Sequence, residues 1–508
     1  MPLVLRLLLL FILYASALIF VHYYNGLERF FPFWDMRFYH DLTIQSWRHF
    51  ATSWSDWLSF LKQKLGDDYN ANFTVPLLLP ISLFGDSRHV YVSSLVAFYL
   101  LPCCLLIGAI AREITTSKPW MIFYLATAIA LLTPGPWRPT LVGYPDAGGA
   151  ALLGAAVWVY VRDVDWRRWW SAPLLGVFVA LSILFRRHFS YAGVALYGAI
   201  FLSGLWQNST ARAAWPDKRK AILRLVAFLA LACAAQMVVM LLIAPEFTIR
   251  ILVTDYTAVY ASYRRSATEN LRMMRDGFGD IFLALALCGF ALAWWRNMVA
   301  RGLIIFFMLF LILWLSEWLL IARQATSHVF LHALLFTAAL GVALAVYGVW
   351  GYRNIFARTM AALLFMAVSA SFLHTFVLYA LPLSQGLAHF TPLLPAQIPP
   401  PRGHALDYDT YIDLVRYLRA QARSNDRVYV AASSGQLNED VLRSAEEVAG
   451  SATGASLRFL DVAHVDSRDR LPVTELIQAD IVVVAAPVQY SLPPAEQDVI
   501  RMAVETFV

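Results

Sequence analysis

The sequence predicts a polytopic α-helical membrane protein, with about 11 to 13 transmembrane helices followed by a small α/β domain. Three observations support this fold class. Hydrophobic residues make up 59% of the 508 residues and charged residues only 15%, too few to cover a water-soluble globule of this size. Apolar runs long enough to span a membrane recur as far as residue 381, and beyond residue 384 the composition changes.

Apolar runs that approach the length of about 20 residues needed for a span recur about eleven times. They lie near residues 3–23, 89–111, 119–133, 147–161, 172–185, 189–206, 221–244, 279–295, 302–321, 328–350 and 359–381. The first run includes Ala15-Ser16-Ala17, typical of a signal cleavage site, but it continues to Tyr24, which favours an uncleaved anchor. The proline-rich Val75–Phe84 is too short to cross and predicts a re-entrant or interfacial element.

The distribution of Lys and Arg predicts the orientation. If the N-terminus is inside, five consecutive loops with basic residues fall inside. Orientation in the membrane therefore explains the net charge of +6, and no nucleic-acid partner is needed to explain it. These loops hold Arg112 and Lys118; Arg162, Arg167 and Arg168; Arg212, Lys218, Arg219 and Lys220; Arg296 and Arg301; and Arg353 and Arg358. Two long loops, 25–88 and 245–279, and the C-terminal tail then lie outside.

We predict three regions: a transmembrane domain at 1–383, a proline-rich linker at 384–404 and a soluble α/β domain at 405–508 on the outer side. In the first outer loop, apolar residues from Leu42 to Leu61 recur near a helical period, which predicts interfacial helices. Buried strands are expected at 427–432 and 480–486, and a weaker one at 457–462. No glycine-rich phosphate loop is present there, so a nucleotide site has no support.

The stretch FPFWDMRFYHD, Phe31–Asp41, places an acid among aromatic residues directly after the first apolar run. A carboxylate is costly to keep there unless it is paired or used. Arg37 and Asp41 are four residues apart and would pair on a helix, so Asp41 is expected to be structural. Asp35 is therefore the first catalytic candidate, and its alternative role is to cap the following helix.

A second acid, Asp146 in GYPDAGG, lies at the outer mouth of a span, at the same predicted depth as Asp35. It is a candidate for substrate or metal binding. The alternative is again a cap, here of the small-residue helix AGGAALLGAA.

Positive charges that the topology leaves outside form a further set of candidates. They are Arg186, Arg187 and His188 in a tight turn, Arg264 and Arg265 in the second outer loop, and Arg323 after a span. Guanidinium groups match phosphate oxygens, so a phosphate at headgroup level would explain them. The alternative is pairing with lipid headgroups or acids, for example Arg323 with Glu317, whereas Arg186 and Arg187 have no acid nearby in sequence.

These features together resemble the GT-C superfamily of membrane glycosyltransferases, in particular the bacterial protein O-mannosyltransferase and lipid A aminoarabinose transferase kinds. In that family the first outer loop carries an acid pair followed by aromatic positions. FWDMRFY keeps the acid as Asp35 and an aromatic as Tyr39, and Met36 stands where the second acid would be.

The resemblance implies transfer of a sugar from a polyprenyl-phosphate donor to a glycan, lipid or protein acceptor. Asp35 would be the general base of an inverting single displacement, and Tyr39, Asp146 and His188 would contribute to substrate binding. The outer arginines would hold the phosphate. It also implies a multi-pass protein of the bacterial inner membrane with a cytoplasmic N-terminus and a periplasmic C-terminal domain. No cofactor is obligate, and a divalent metal would bind through Asp35 and Asp146.

Three other functions are compatible with the sequence. A flippase for lipid-linked sugars would need ionisable residues inside several spans and paired halves, but Glu317 is the main deep acid and no repeat is evident. A non-enzymatic receptor would use the outer α/β domain as a binding module. An O-antigen polymerase or ligase would also use outer arginines.

Overall fold

The computed structural model describes residues 2–211, 215–324, 327–352, 354–377, 393–398, 408–423, 426–450, 457–463, 465–469 and 473–507. The predicted linker 384–404 lies outside the described residues except for 393–398. The chain divides into two compact units. Unit 1 consists of Met1–Tyr23, Leu42–Thr254 and Arg265–Pro399, and unit 2 of Tyr24–Asp41, Asp255–Arg264 and Pro400–Val508.

Helices account for nearly all regular structure before residue 377. The α-helices are α1 (Leu3–Gly26), α2 (Asp35–Thr52), α3 (Trp54–Lys64), α4 (Leu78–Phe84), α5 (Arg88–Leu95), α6 (Leu101–Ile114), α7 (Pro119–Leu131), α8 (Pro134–Leu141), α9 (Asp146–Val161), α10 (Ser171–Phe185), α11 (Phe189–Thr210), α12 (Trp215–Ile243), α13 (Pro245–Val253), α14 (Tyr256–Val259), α15 (Ala267–Phe278), α16 (Asp280–Trp295), α17 (Arg301–Ser316), α18 (Ala333–Trp350) and α19 (Ile355–Phe376). Three 3₁₀ segments (Ala71–Leu77, Ala261–Tyr263, Ser327–Leu331) and two π segments (Val96–Leu100, Glu317–Ala322) complete the set.

Seven helices of the described chain are long and apolar enough to cross a membrane, or up to nine if each of two bent pairs is one span. The polytopic membrane fold is thereby confirmed. The predicted runs near residues 147 and 172 correspond to α9 and α10, whose 16 and 15 residues fall short of the length criterion. The total of about 11 to 13 spans therefore stays a prediction.

Both bent pairs have a local cause. α15 and α16 meet at 85° around Gly279, whose φ of +78° is a conformation that residues with a Cβ rarely adopt. α7 and α8 meet at 53°, where Pro134 begins α8 and removes a backbone donor. The spans themselves pack through small residues: a Cβ on Gly289 of α16 would overlap the backbone of Gly341 in α18.

Loops that were predicted to lie inside contact one another in unit 1. The guanidinium groups of Arg6 and Arg112 lie 4.0 and 4.3 Å from the centre of the Trp120 ring. Thr115 forms a β-bridge with Val299. These contacts join the start of α1, the α6–α7 loop and the α16–α17 loop at one end of the helix bundle. Loops predicted to lie on the same side of the membrane are expected to share one end.

The predicted interfacial helix of the first outer loop is two helices. Ser53 interrupts it by capping α3, since its hydroxyl accepts a hydrogen bond from the Asp56 amide. Within α3, Trp57 is buried and donates to Ser46, whereas Trp54 and Leu58 are exposed. An apolar surface of this kind fits an element lying at a bilayer interface.

Unit 2 is built around a three-stranded parallel sheet with strand order β2-β1-β3. The strands are β1 (Arg427–Ala431), β2 (Arg458–Phe459) and β3 (Ile481–Val484), within the segments where strands were expected. Val428 pairs with Phe459 on one side and with Ile481 on the other. The flanking helices are Tyr408–Gln421, Glu439–Ala449, Asp466–Asp469, Thr474–Gln478 and Asp498–Phe507, with a 3₁₀ turn at Pro494–Glu496.

The hydrophobic core of unit 2 includes a residue from the first outer loop. Phe31 is 1% exposed and belongs to the same cluster as Val415, Val428 and Leu442. Its ring stacks on Tyr408 with centroids 4.3 Å apart and 7° between the planes. The segment that carries Asp35 is therefore part of the α/β unit in structural terms.

Candidate functional site

Asp35 is the first residue of α2 and follows a residue in a strained conformation. Trp34 has φ of +48°, the left-handed region that bulky side chains seldom occupy. Its backbone N–H donates to Asp440 Oδ2 at 2.7 Å, and its carbonyl accepts from the amides of Arg37 and Phe38. Strained residues that the surroundings hold in place concentrate at functional sites, so this turn sets the position of Asp35.

Arg37 ties the same turn to the helix Glu439–Ala449. Its guanidinium forms a two-pronged ion pair with Glu447 and donates to Ser444 Oγ at 2.6 Å. Ser444 in turn donates to the carbonyl of Pro32 at 2.9 Å. The predicted pair with Asp41 is confirmed, with Arg37 Nε 3.1 Å from Asp41 Oδ2. Arg37 is thus a buried structural cation that pairs with Asp41, and Asp35 stays the catalytic candidate of this loop.

The segment Asp255–Arg264 brings a tyrosine near Asp35, and the sequence analysis missed it. Burial raises the pKa of the Tyr263 hydroxyl, and the negative charge of Asp35 adds to that rise. Ser262 fixes the segment by donating to Glu496 Oε2 at 2.5 Å. Tyr263 therefore shares the polar environment of Asp35 within unit 2. Its place in an aromatic-rich loop, YTAVYASYRR, was the available signal.

In unit 1 the predicted candidates Asp146, Arg186 and His188 come together. Asp146 is 0% exposed and begins α9, where the helix dipole favours a carboxylate. Its Oδ1 lies 2.9 Å from His188 Nε2, and its Oδ2 lies 3.7 Å from Arg186 Nη1. No cap hydrogen bond is made by the Asp146 side chain, so the capping alternative is wrong for this residue.

Two histidines that the sequence analysis did not single out complete this group, which we call the Asp146 cluster (Asp146, Arg186, His188, His328 and His332). The His188 ring centre lies 4.9 Å from that of His328 and 5.1 Å from that of His332. His328 and His332 lie just before α18, far along the chain. Asp146, His188 and His328 each place one ligand atom within 4.8 Å of the others, as a metal site requires.

Two glycines explain why the 186–188 turn reaches Asp146. A Cβ on Gly148 would overlap the Phe185 ring, and one on Gly149 would overlap the Phe189 ring. The bare backbone of α9 therefore lets both phenylalanines pack closely, and the turn between them lies over the start of the helix. The sequence carried this signal in the GYPDAGG motif.

The surroundings of His188 and His328 favour the neutral form of both imidazoles. Burial lowers the pKa of the His188 imidazole well below its usual range, and Arg186 and Arg187 lower it further. Burial likewise lowers the pKa of His328, against the opposing influence of Asp146. Neutral imidazoles keep a free nitrogen lone pair for a ligand.

Arg186 and Arg187 have no acid nearby in sequence, but the fold places an acid beside each of them. Arg186 lies beside Asp146, and Arg187 Nη1 is 2.9 Å from Asp68 Oδ2. Both acids are distant in sequence, and both guanidinium groups lie near the Tyr69 ring. Asn70 holds this region in place by donating to the Leu184 carbonyl at 2.7 Å.

Two hydrogen bonds join Arg265 and Arg323, one between their backbones and one from a side chain to a backbone carbonyl. The Arg265 N–H donates to the Arg323 carbonyl at 2.8 Å, and Arg323 Nε donates to the Arg265 carbonyl at 3.3 Å. Arg323 has φ of +53° and ends the π segment Glu317–Ala322. The suggested pairing of Arg323 with Glu317 is wrong. In the described part of the chain, neither arginine, nor Arg264 in unit 2, has a carboxylate within 4.0 Å.

Tyr39 and Asp35 lie in unit 2, whereas Asp146, Arg186, Arg187, His188, Arg265 and Arg323 lie in unit 1. Tyr39 is 0% exposed. Within unit 1, Asp146, His188 and His328 form a group whose ligand atoms have the spacing of a metal site. The metal set suggested from sequence, Asp35 with Asp146, stays a prediction.

The fold has a clear relative among solved structures. ArnT from Cupriavidus metallidurans in the apo state aligns with a TM-score of 0.51 and 12% identity, covering 93% of this chain and 88% of that chain. ArnT is an aminoarabinose transferase of the GT-C superfamily. The chain has the fold of this ArnT structure. No protein-family model and no curated protein matches the sequence.

Two further structures align less well, each at 12% identity. ArnT from the same organism bound to undecaprenyl phosphate has a TM-score of 0.49 and covers 93% of this chain and 89% of that chain. The Archaeoglobus fulgidus oligosaccharyltransferase in complex with Zn and sulfate has a TM-score of 0.40 and covers 82% and 60%. The resemblance to the GT-C superfamily, stated from a short motif and the topology, is confirmed as a fold.

Proposed function

We propose that this chain is a membrane glycosyltransferase that moves a sugar from a polyprenyl-phosphate donor to a hydroxyl acceptor. The observation that supports this most directly is the GT-C fold over 93% of the chain, shared with an aminoarabinose transferase. The strained turn that positions Asp35 within an ordered polar network adds support.

The proposed reaction is a single displacement. The acceptor oxygen attacks the anomeric carbon, the bond from that carbon to the phosphate oxygen breaks, and the acceptor proton passes to the Asp35 carboxylate. The products are the glycosylated acceptor and polyprenyl phosphate, and the anomeric centre is inverted. Asp35 returns its proton to solvent after each turnover.

Arg265 and Arg323 are the proposed ligands of the departing phosphate. A carboxylate already lies beside each of Arg186 and Arg187, but none lies within 4.0 Å of Arg265 or Arg323 in the described chain. Two hydrogen bonds join the residues, one between their backbones and one from Arg323 Nε to the Arg265 carbonyl. Guanidinium groups stabilise the charge that develops on the leaving oxygen.

The same proposal places the chain in the bacterial inner membrane, with its N-terminus in the cytoplasm and residues 405–508 in the periplasm. The basic loops that cluster at one end of unit 1 support that orientation. The acceptor is proposed only as a glycan, lipid or protein hydroxyl.

The test is transfer of labelled sugar from a panel of polyprenyl-phosphate sugars by the purified protein in lipid. Asp35→Asn is expected to lower turnover about 10²- to 10⁴-fold, since a general base typically contributes that much. Asp56→Asn is the matched control, because Asp56 is a half-exposed acid that contacts His49. Arg265→Gln and Arg323→Gln should each weaken transfer, whereas the exposed Arg272→Gln should not.

Full activity in Asp35→Asn would exclude Asp35 as the base while leaving the enzyme class in place. Product with retained anomeric configuration would exclude the single displacement. A folded wild type that transfers no sugar across a varied panel of donors and acceptors would count against the glycosyltransferase assignment itself.

A further inference from the structure

We propose that unit 1 binds the headgroup of an anionic phospholipid in a cavity between α1 and the start of α7. The cavity has a volume of about 450 Å³, within the range of about 300–1,000 Å³ that is typical of small-molecule sites. The residues that line it are Leu9, Lys118, Pro119, Trp120, Met121 and Tyr124. Basic pockets between membrane helices are known binding sites for anionic lipid headgroups. The inference goes beyond the proposed sugar transfer and does not depend on it.

The first argument is the positive charge at the edge of the cavity. The guanidinium carbons of Arg6 and Arg112 lie 4.0 and 4.3 Å from the centre of the Trp120 ring, which is part of the cavity wall. The two carbons are therefore no more than about 8 Å apart, within one Debye length at physiological salt, so the two charges repel each other. Lys118 adds a third positive charge and is exposed. A bound phosphate would remove this repulsion.

The second argument is that nearby acids do not balance these charges. Across the residues that the structure describes, neither Arg112 nor Lys118 has a carboxylate within 4.0 Å. Glu113 is next in sequence to Arg112, but its Oε2 lies 3.9 Å from Arg162 Nε. The excess positive charge favours a lipid of net negative charge. It disfavours phosphatidylethanolamine, whose ammonium group would bring a further cation to the site.

The backbone at Lys118 gives a third argument. Lys118 has φ of +42°, in the left-handed region that residues with a Cβ rarely adopt. Its carbonyl accepts hydrogen bonds from the amides of Met121 and Ile122 at 3.0 and 3.3 Å, and Pro119 begins α7. Lys118 is thus fixed at the N-terminal end of a 13-residue helix, where the helix dipole also favours an anion.

The apolar surface beside the cations favours a lipid over a free phosphate. Leu9 and Met121 line the cavity, and Leu5 and Ile12, about one turn on either side of Leu9, are 42% and 50% exposed. Only 11% of the most apolar stretch of α1 is buried against the protein. An acyl chain that lies along this face of α1 would cover apolar area while its phosphate contacts Lys118 and Arg112.

A lipid in this position would also join α1 to α7. In the described structure, the Tyr124 hydroxyl donates to the Arg6 carbonyl at 2.9 Å, next to the cavity. At the other end of α1, the Phe20 ring contacts the Trp137 and Phe372 rings. A ligand that binds the folded protein stabilises it, so the lipid should raise the unfolding temperature.

The experiment measures lipid binding to the purified full chain. Delipidated protein in detergent is titrated with phosphatidylglycerol or phosphatidylethanolamine. Native mass spectrometry counts the bound lipids, and thermal unfolding measures the stabilisation. We expect phosphatidylglycerol to bind more tightly and to raise the unfolding temperature more. Lys118→Gln and Arg112→Gln should each weaken its binding about five-fold, the usual contribution of one basic residue near anionic lipid.

Two matched controls separate the cavity from general charge and apolar surface. Lys220→Gln removes an exposed positive charge at the start of α12, in another loop predicted to lie inside, and should change binding little. Leu9→Trp fills the cavity while every charge is kept, and it should abolish the preference for phosphatidylglycerol. Leu8→Trp makes the same change at the neighbouring residue, which is 50% exposed and does not line the cavity, and should not.

Equal binding of the two lipids, or equal losses in Lys118→Gln and Lys220→Gln, would overturn the anionic site. Wild-type binding in Leu9→Trp would show that the lipid does not occupy this cavity. Glycerol phosphate that stabilises the chain as well as phosphatidylglycerol would show that a free phosphate is bound instead of a lipid. Size-exclusion profiles identify any variant that fails to fold, and Leu9→Trp and Lys118→Gln test the site independently. None of these readouts depends on sugar transfer.

Discussion

Phe31 stacks on Tyr408 with ring centroids 4.3 Å apart, which joins the first outer loop to the first helix of the α/β unit. The same loop is tied by the Arg37–Glu447 ion pair and by the hydrogen bond from Trp34 to Asp440. The α/β unit thus has a role that its composition does not suggest. It is the scaffold that holds Asp35, and the predictions below start from this arrangement.

Removal of the Phe31 ring should destabilise unit 2. Phe31 is 1% exposed within its core, and Phe→Ala substitutions in cores cost about 3–5 kcal/mol. We expect Phe31→Ala to lower the unfolding temperature of the full-length protein and to expose residues 408–507 to protease. Phe38→Ala is the control, because Phe38 is in the same segment and 42% exposed. Equal effects of the two variants would contradict the anchoring role.

The stability of unit 2 should fall as the pH rises from about 4 to above 6. Burial raises the pKa of Asp440 to about 6, and the charge of Glu439 adds to the rise. A folded-state pKa above the ordinary value gives a contribution that is complete below about pH 4 and is lost as the pH rises through about 6. Its size is on the order of 3 kcal/mol. Asp440→Asn keeps an oxygen for the Trp34 N–H and should flatten this dependence.

Asp480 provides the opposite case for comparison. Hydrogen bonds from Arg427 lower its pKa to about 2, so its stabilising contribution is present above about pH 4 and is lost only as the pH falls through about 2. Asp480→Asn should lower the unfolding temperature equally at every pH between 4 and 8. A wild-type pH dependence that persists unchanged in Asp440→Asn would show that another group is responsible.

Tyr263 should contribute to the chemistry assigned to Asp35. Burial raises the pKa of the Tyr263 hydroxyl and the negative charge of Asp35 adds to the rise, so the two side chains interact electrostatically. If its hydroxyl donates to the carboxylate or the acceptor, Tyr263→Phe should lower kcat/KM about 10- to 100-fold, the range of a hydrogen bond to a charged group. The pH profile of kcat/KM should shift as well. Tyr260→Phe, one turn earlier, is the control and should change neither quantity.

Gly279 should tolerate alanine less well than Gly85. Both have positive φ, +78° and +90°, so an alanine at either position is strained by about 1–2 kcal/mol. At Gly279 the added Cβ would also lie 2.7 Å from the Pro395 nitrogen, whereas at Gly85 nothing lies within 4 Å. Thermal unfolding of the two variants separates the cost of backbone strain, which both variants share, from the cost of steric overlap, which only Gly279→Ala has. Equal losses would mean that the α15–α16 bend relaxes at no cost.

The positions of the membrane helices could be predicted because insertion depends on the apolar length of each segment by itself. Every apolar run from residue 3 to residue 381 has a helix in the described structure, and Arg37–Asp41 paired as their four-residue spacing required. The candidate residues Asp35, Asp146 and Arg186 were identified because charge at a membrane boundary is costly wherever it occurs in sequence.

Local sequence patterns could not predict which residues these candidates contact in the folded protein. Asp146 meets His188 and His328 only because Gly148 and Gly149 allow close packing of α9, α10 and α11 and because the segment before α18 reaches the same place. Phe31 enters the core of a sheet whose strands begin at Arg427. Hydropathy and helical spacing are short-range properties of the chain, whereas a ligand set and a shared core are assembled from segments hundreds of residues apart. The sequence by itself determined that this is a membrane protein and where its spans and charged candidates lie, and only the tertiary structure decided which of those charges meet.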